Sequence, residues 1–309
     1  MHLLERRKIM EFSWIYQETE SHQVKQFLRT KGVSRGLLAK VKFQGGKIEV
    51  NGQIQNAIHY LAFGDQVTIT VPDEKGYETT VPVENPIEIV YEDQHLLIVN
   101  KPAGVVSIPS QLYPEQTMAN RVKGYYCRQN YADQVVHIVT RLDRDTTGLM
   151  LFAKHGFAHA LMDVLLRENR LTKRYVALVT GSISGSEHQK IELPIGRTPD
   201  SIITRMVKPE GKYALTEFWI KNRFALATLV DIRLHTGRTH QIRVHFAHLG
   251  HPLIGDDLYG GSHNQWIKRQ ALHCQELEFV HPFTQENMHI KAPYPTDIRQ
   301  WLDAEKELV

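Results

Sequence analysis

Arg141, Asp143, Arg144 and Asp145 fall within five residues, preceded by apolar Ile138-Val139 and followed, after the turn Thr146-Thr147-Gly148, by Leu149 to Ala153. That order reads as strand, charged loop, strand. A loop between two core strands is a rigid mount for working side chains, so the carboxylate of Asp143 is expected to be held firmly and sheltered from bulk water. An ionised carboxylate so placed is equipped to attack an electrophilic carbon or to take a proton. The plain alternative is a charged surface turn with local ion pairs. A carboxylate that stays ionised in a cleft needs a cation beside it, because burial alone favours the neutral form. Leu234 to His245 is the stretch richest in donors: Gly237 permits a tight turn, Arg238 to His240 follow, and Arg243 and His245 lie along an expected helix. Arg243 is the candidate partner of Asp143, with a surface or phosphate contact as the other use of an arginine there.

The chain of 309 residues suggests two domains, and 42% hydrophobic with 23% charged residues fits a folded protein. No window has the apolar length of a membrane span, and Met1 to Met10 has charge without an apolar core, so neither a membrane nor a secretory route is expected. Cys127 and Cys274 are too few for a disulfide framework and are expected to be reduced thiols in a cytoplasmic protein. A net charge of +3 says little by itself, but its distribution does. Ser21 to Ile48 carries Lys25, Arg29, Lys31, Arg35, Lys40, Lys42 and Lys47 with no acid, whereas Asp73 to Asp93 sets seven acids against Lys75. The first of these segments offers a surface for a polyanion.

The elements that would carry these residues divide in two. Residues 1–11 read as an extension. In 12–72, a strand at Phe12-Ile15 is followed by two short helices with Val24, Phe27 and Leu28, then Leu37, Leu38 and Val41, on their apolar sides and Lys25, Arg29, Arg35, Lys40 and Lys42 opposite. Ser34 caps the second helix, Asn51-Gly52 turns a hairpin, and Val67-Val71 is the last strand. Residues 73–86, with Pro82 and Pro86, read as a linker. In 87–309 strands cluster and helices are interspersed, with helical periodicity at Thr117–Arg128, Phe157–Arg167 and Ile242–Leu249 and after Pro295. The expectation is an α+β fold with a large mixed, mostly antiparallel sheet, preceded by a small basic α+β module.

Gly32-Val-Ser-Arg35, Val50-Asn-Gly52 and Gly64-Asp-Gln-Val67 together resemble the alpha-L RNA-binding motif, although Ser21-His22-Gln23-Val24 departs from its usual start. The charged loop, Lys173-x-Tyr-x-Ala-Leu-Val-x-Gly181 and Gly237-Arg-Thr-His-Gln-Ile-Arg-Val-His245, followed by Gly250-His-Pro-Leu-Ile-Gly-Asp256, resemble in order the signatures of the RluA-type pseudouridine synthase family. The likeness runs from Gln23 onward, and the loop matches R-L-D-x-x-T-[ST]-G at every defined position. Thr140 departs where most members have His.

The resemblance implies that Asp143 is the essential catalytic aspartate, Tyr175 the residue beneath the uracil ring, Arg243 the partner of the aspartate and Arg141 the side chain that fills the gap left by a flipped nucleotide. Lys25, Arg29, Arg35, Lys40, Lys42, Arg238 and His240 are the expected RNA contacts. Pseudouridine formation breaks N1–C1′, rotates the uracil and joins C5 to C1′. The base must leave its stack, and a planar cation can take its place. Asp143 could act at C1′, at C6 or on a sugar proton. Asp145 is read as a loop-stabilising acid rather than the second carboxylate of a glycosidase pair, since the reaction adds no water. His235, His240, His245, His248 and His251 have no zinc spacing, and no metal or cofactor is expected.

The reading is therefore an RNA uridine isomerase, acting as a monomer on RNA, with large-subunit ribosomal RNA as first choice and transfer RNA as second. Its rivals are a non-catalytic RNA-binding or ribosome-assembly protein, in which replacing Asp143 changes nothing chemical, and a hydrolase that releases free uracil.

Overall fold

The computed structural model describes residues 10–74, 80–199 and 201–306. The basic segment forms β1 (Met10–Ile15), α1 (Val24–Thr30), α2 (Arg35–Phe43), β2 (Lys47–Val50), β3 (Gln53–Ile54) and β4 (Gln66–Val71), with an antiparallel sheet in the order β1-β4-β2-β3. Ser34 Oγ accepts from Leu37 N at 3.1 Å and so starts α2. Asn51 and Gly52, at φ 51° and 76°, make the two-residue turn between β2 and β3. Val24, Phe27, Leu28, Leu37 and Val41 are buried with Ile48, Val67 and Ile69, which leaves Lys25, Arg29, Arg35 and Lys42 exposed. β1 begins at Met10, so the expected boundary after residue 11 falls inside this strand. The rest of the expected extension, residues 1–9, lies outside the described residues.

The larger unit contains β5 (Glu88–Glu92), β6 (Leu96–Lys101), α3 (Met118–Arg128), β7 (His137–Ile138), β8 (Thr147–Ala153), α4 (Gly156–Arg167), β9 (Thr172–Thr180), β10 (His188–Glu192), β11 (Ile195–Arg197), β12 (Arg205–Val207), β13 (Leu215–Arg223), β14 (Ala227–Leu234), α5 (Gln241–His248), β15 (Leu272–Val280), β16 (Asn287–Lys291) and α6 (Thr296–Lys306). Ten strands form one sheet along β10-β13-β14-β9-β15-β8-β6-β5, with β16 on β15 and β7 on β8, while β11 and β12 make a separate hairpin. Of its strand pairs only β8 with β15 is parallel, so the sheet is mixed and mostly antiparallel.

β6 and β8 are apolar without alternation because both of their faces are covered. Leu96, Ile98, Leu149 and Leu151 face one core with α4, whereas Leu97, Val99, Met150 and Phe152 face another with Val122 and Tyr126 of α3. α6 places Ile298, Trp301 and Leu302 over Val176 and Leu178 of β9. The expected linker is not loose on its C-terminal side. Asn120 Nδ2 donates to Val81 O at 2.8 Å, and a Cβ at Gly124 would lie 1.9 Å from Val83 O, so the segment rests on α3 where the helix has no side chain.

The basic unit rests on the larger one through rings. Phe12 meets Phe157 edge-on at 4.9 Å and Phe283 at 5.4 Å, and His95 stacks on Phe283 at 3.8 Å. Glu74 joins the two by pairing with Lys40 of α2 and with His137 of β7. Two buried imidazoles, His155 at this junction and His273 in β15, stay neutral. Burial, reinforced by His95, pushes His155 down to about 3, and burial beside Arg269 pushes His273 in β15 down to about 4. Unfolded, both titrate near 6.5, so the unfolded chain binds more protons below that pH. Their contribution is therefore complete above pH 6.5, is lost progressively below it and levels off only near the folded values, about 2 kcal/mol for each between pH 7 and pH 5. Asp133 works in the opposite sense, because burial raises it to about 6. Being partly open to water, it offsets about 1 kcal/mol. With His95, which burial pushes down to about 4, acting in the same sense, the expected result is a net fall in stability of about 3–5 kcal/mol from pH 7 to pH 5. Urea midpoints at the two pH values measure it, and an equal or higher midpoint at pH 5 rules out the neutral imidazoles.

Candidate active site

The segment between β7 and β8 is fixed at almost every peptide. Ser107 Oγ donates to Leu142 O at 2.6 Å and accepts from Leu142 N at 3.0 Å. Lys101 Nζ, fully buried, donates to Arg144 O at 2.7 Å and Pro102 O at 2.8 Å. Burial lowers that ammonium to about 7, against the pull of Asp145. Arg269 donates to Asp145 O at 2.9 Å while Asp297 of α6 grips its Nε at 2.8 Å. Thr147 Oγ1 lies 2.8 Å from His273 Nδ1. Gly148, at φ 108°, pairs with Cys274, and a Cβ there would sit 2.2 Å from Cys274 O. No other residue fits that approach. Thr140 is buried, and its Oγ1 accepts from Leu151 N at 2.9 Å, so this departure from the family pattern sits in loop packing.

The loop presents Asp143 to α5. Asp143 Oδ2 accepts from Arg243 NH1 at 3.2 Å, with His240 Nε2 3.9 Å away, and its side chain is 27% exposed. Arg243 is almost fully buried and has a closer partner that the sequence reading did not single out. Its Nε and NH2 donate to Asp256 Oδ2 and Oδ1 at 2.7 and 2.8 Å. Asp256 is fully buried, and its bidentate grip leaves NH1 as the edge turned to Asp143. Burial opposes the charge on Arg243, but the hydrogen bonds and charge of Asp256, aided by Asp143, raise its pKa above the ordinary value. The guanidinium also lies 5.0 Å from the Tyr259 ring centre. One buried cation thus serves two carboxylates, one structural and one open to the cleft.

Tyr175 enters the same cleft from β9, 6% exposed. Burial raises its pKa well above the ordinary value, so the hydroxyl keeps its proton. The cleft, about 350 Å³, is lined by the Asp143 loop, Tyr175, Lys173, Arg243 and the turn Gly237 to His240. A volume of this order suits one small ligand group held between apolar walls and a few polar ones.

The other expected contacts are distributed. Arg141 is exposed on the cleft lining, with no hydrogen bond or ion pair among the described residues. Arg238 is exposed, with Nε donating to Tyr213 O at 2.8 Å. His240 lines the cleft: it takes φ 57° at the start of α5, its Nδ1 is 2.9 Å from Tyr259 OH, and burial lowers its pKa. Lys40 is engaged with Glu74 at 3.1 Å, unlike Lys25, Arg29 and Arg35. Asp145 pairs with Arg144 at 2.8 Å and is not opposed to Asp143 across the cleft. Among the described residues, the one group of side chains able to hold a cation is Glu276, Glu278 and His289 on β15 and β16. Lys291 and Arg174 already pair with its two carboxylates.

A fixed carboxylate, a buried guanidinium and a tyrosine around one cleft can be set beside known proteins. Residues 95–248 match the RNA pseudouridylate synthase family model. An uncharacterized RNA pseudouridine synthase of Bacillus subtilis (strain 168), YjbO, is 44% identical over 282 residues, covering 91% of this chain and 99% of that protein. The ribosomal large subunit pseudouridine synthase D of Haemophilus ducreyi is 36% identical over 283 residues, covering 86% and 85%. Human RNA Pseudouridylate Synthase Domain Containing 1 shares the fold, at a TM-score of 0.55 and 24% identity over 72% of this chain and 95% of that one. With relatives this similar along most of its length, the chain belongs to the RNA pseudouridylate synthase family, of the RluA type.

Proposed function

We propose that this enzyme converts specific uridines of large-subunit ribosomal RNA to pseudouridine, with Asp143 as the essential group. The observation that carries the reading is the contact of Asp143 with Arg243 NH1 at 3.2 Å in a cleft that Tyr175 also lines. A carboxylate held this way is positioned for any of its three possible roles, at C1′, at C6 or on a sugar proton, and needs no cofactor. Tyr175 offers a flat apolar face to a uracil that has left its stack, and Arg141 is free to occupy the vacated space. Residues 12–72 act as an alpha-L RNA-binding domain, joined by 73–86 to a catalytic domain of 87–309, with Lys25, Arg29 and Arg35 as its contacts. In support of ribosomal RNA, several relatives at 33–36% identity are named for the ribosomal large subunit. Transfer RNA is the alternative substrate. Chemical mapping of pseudouridine in total RNA from cells with and without the gene tests the assignment. One or a few sites in large-subunit ribosomal RNA should vanish; sites lost only from transfer RNA would move the substrate to that class.

A further inference from the structure

Lys173 and Tyr175 stand two residues apart on β9, and strand alternation points both into the cleft, while Arg174 between them pairs with Glu278 on the other face. The ammonium of Lys173 reaches the turn before α5: a Cβ at Gly237 would be 3.8 Å from Nζ. Of the other cations on the cleft lining, Arg243 is held by Asp256 and Asp143, Arg144 by Asp145 and Arg238 by Tyr213 O, while Arg141 is exposed to water. Lys173 has no ion pair and no hydrogen bond among the described residues. The group beside it is Cys274, Tyr175's cross-strand partner on β15, and burial pushes that thiol up to about 12, so it brings no negative charge.

An ammonium taken largely out of water with no counter-charge is costly, and burial here lowers its pKa. The arrangement makes sense if negative charge arrives with the substrate. On the function proposed above, on which this inference rests, it does. When N1–C1′ breaks, its electron pair stays on the uracil and spreads to the ring oxygens. After the ring has turned, C5 uses a ring pair to bond C1′, then loses its proton, and N1 gains one, so the net change is an isomerisation. If Asp143 adds at C6 instead, charge again builds on a ring carbonyl. All three roles of Asp143 thus need a donor facing the base.

We propose that Lys173 Nζ donates to a carbonyl oxygen of the uracil and holds its negative charge while the ring turns. It is a catalytic residue in this reading, separate from the Asp143–Arg243 pair.

The test uses the full-length enzyme and RNA from cells lacking the gene, grown with uridine tritiated at C5. Joining C5 to C1′ releases the tritium to water. Rates are followed against enzyme concentration in excess over sites, which gives a limiting rate and a half-saturating concentration. Lys173→Met should lower the limiting rate about 10²–10³-fold, the cost of removing one preorganised donor to developing charge. The half-saturating concentration should stay within about threefold, and Lys173→Arg should recover at least tenfold of the loss. Retention of the full limiting rate by Lys173→Met overturns the proposal. So does a weaker half-saturation with an unchanged limiting rate and a salt dependence reduced by about one ion, which marks a phosphate contact. Wild-type enzyme that releases no tritium defeats the isomerase reading and this one together, whereas release that is equal in wild type and variant defeats this one alone.

Discussion

Asp143→Asn is expected to leave the fold and RNA affinity intact and to reduce pseudouridine formation on the order of 10⁴-fold, more than 5 kcal/mol in the barrier. The substitution keeps the volume and an oxygen that can still accept from Arg243 NH1, 3.2 Å away in the native site. It removes the charge and the basic lone pair, which every role open to this residue requires. The loop offers little route to compensation, since Ser107, Lys101 and Arg269 fix its carbonyls and leave the neighbouring carboxylate of Asp145 paired with Arg144. Pseudouridine formed per enzyme in a single turnover, beside RNA binding by filter retention, is the measurement. Activity within tenfold of wild type would put the chemistry elsewhere. Loss of binding in parallel with activity would instead make Asp143 a folding residue.

Asp256→Ala should show the largest effect on stability. The carboxylate is fully buried and makes two charge-assisted bonds to Arg243, itself buried. Its removal leaves a guanidinium without its main partner, a loss of about 3–5 kcal/mol. The same change frees the group that positions Asp143, and misplacement by about 1 Å costs roughly 10²-fold in rate. Asp256→Asn keeps one acceptor and should fall between. Urea midpoints and single-turnover rates test both effects. In the Asp143→Asn background, Asp256→Asn should cost almost nothing more in rate, because the two act through one arginine. An unchanged midpoint in Asp256→Ala would show that the buried pair is dispensable.

How much of this was legible in the sequence depended on whether the signal was local. The strand-loop-strand around Asp143, the cap at Ser34 and the Asn51-Gly52 turn each depend on a few adjacent residues. Placing Arg243 against Asp143 required a physical argument, that a sheltered carboxylate needs a cation, and the two are in contact. Asp256 escapes the same argument because it sits past the end of α5, where the pair Asp256-Asp257 between glycines looks like a turn. The bidentate bond that defines it depends on how the chain returns from Gly250. His240 is expected among the RNA contacts by its place among donors; what the sequence does not show is the left-handed backbone that turns its ring to Tyr259 on the cleft lining. β15 was not anticipated: its alternation is interrupted by a bulge between Cys274 and Glu276, and its apolar positions are dictated by neighbours far away in sequence. The pairing of Lys40, an expected RNA contact, with Glu74 is not legible locally, because Glu74 lies 34 positions further on.

β15 has one more consequence. The strand that separates the Asp143 loop's exit from Tyr175's strand is built from Leu272–Val280, well over a hundred residues downstream of the loop. As the chain is synthesised from its N-terminus, the basic unit and the sheet's outer strands have their sequence complete long before this wedge appears. A polypeptide cut short before Leu272 would therefore carry every signature residue and lack the strand that lies between the Asp143 loop and Tyr175, and is expected to be inactive.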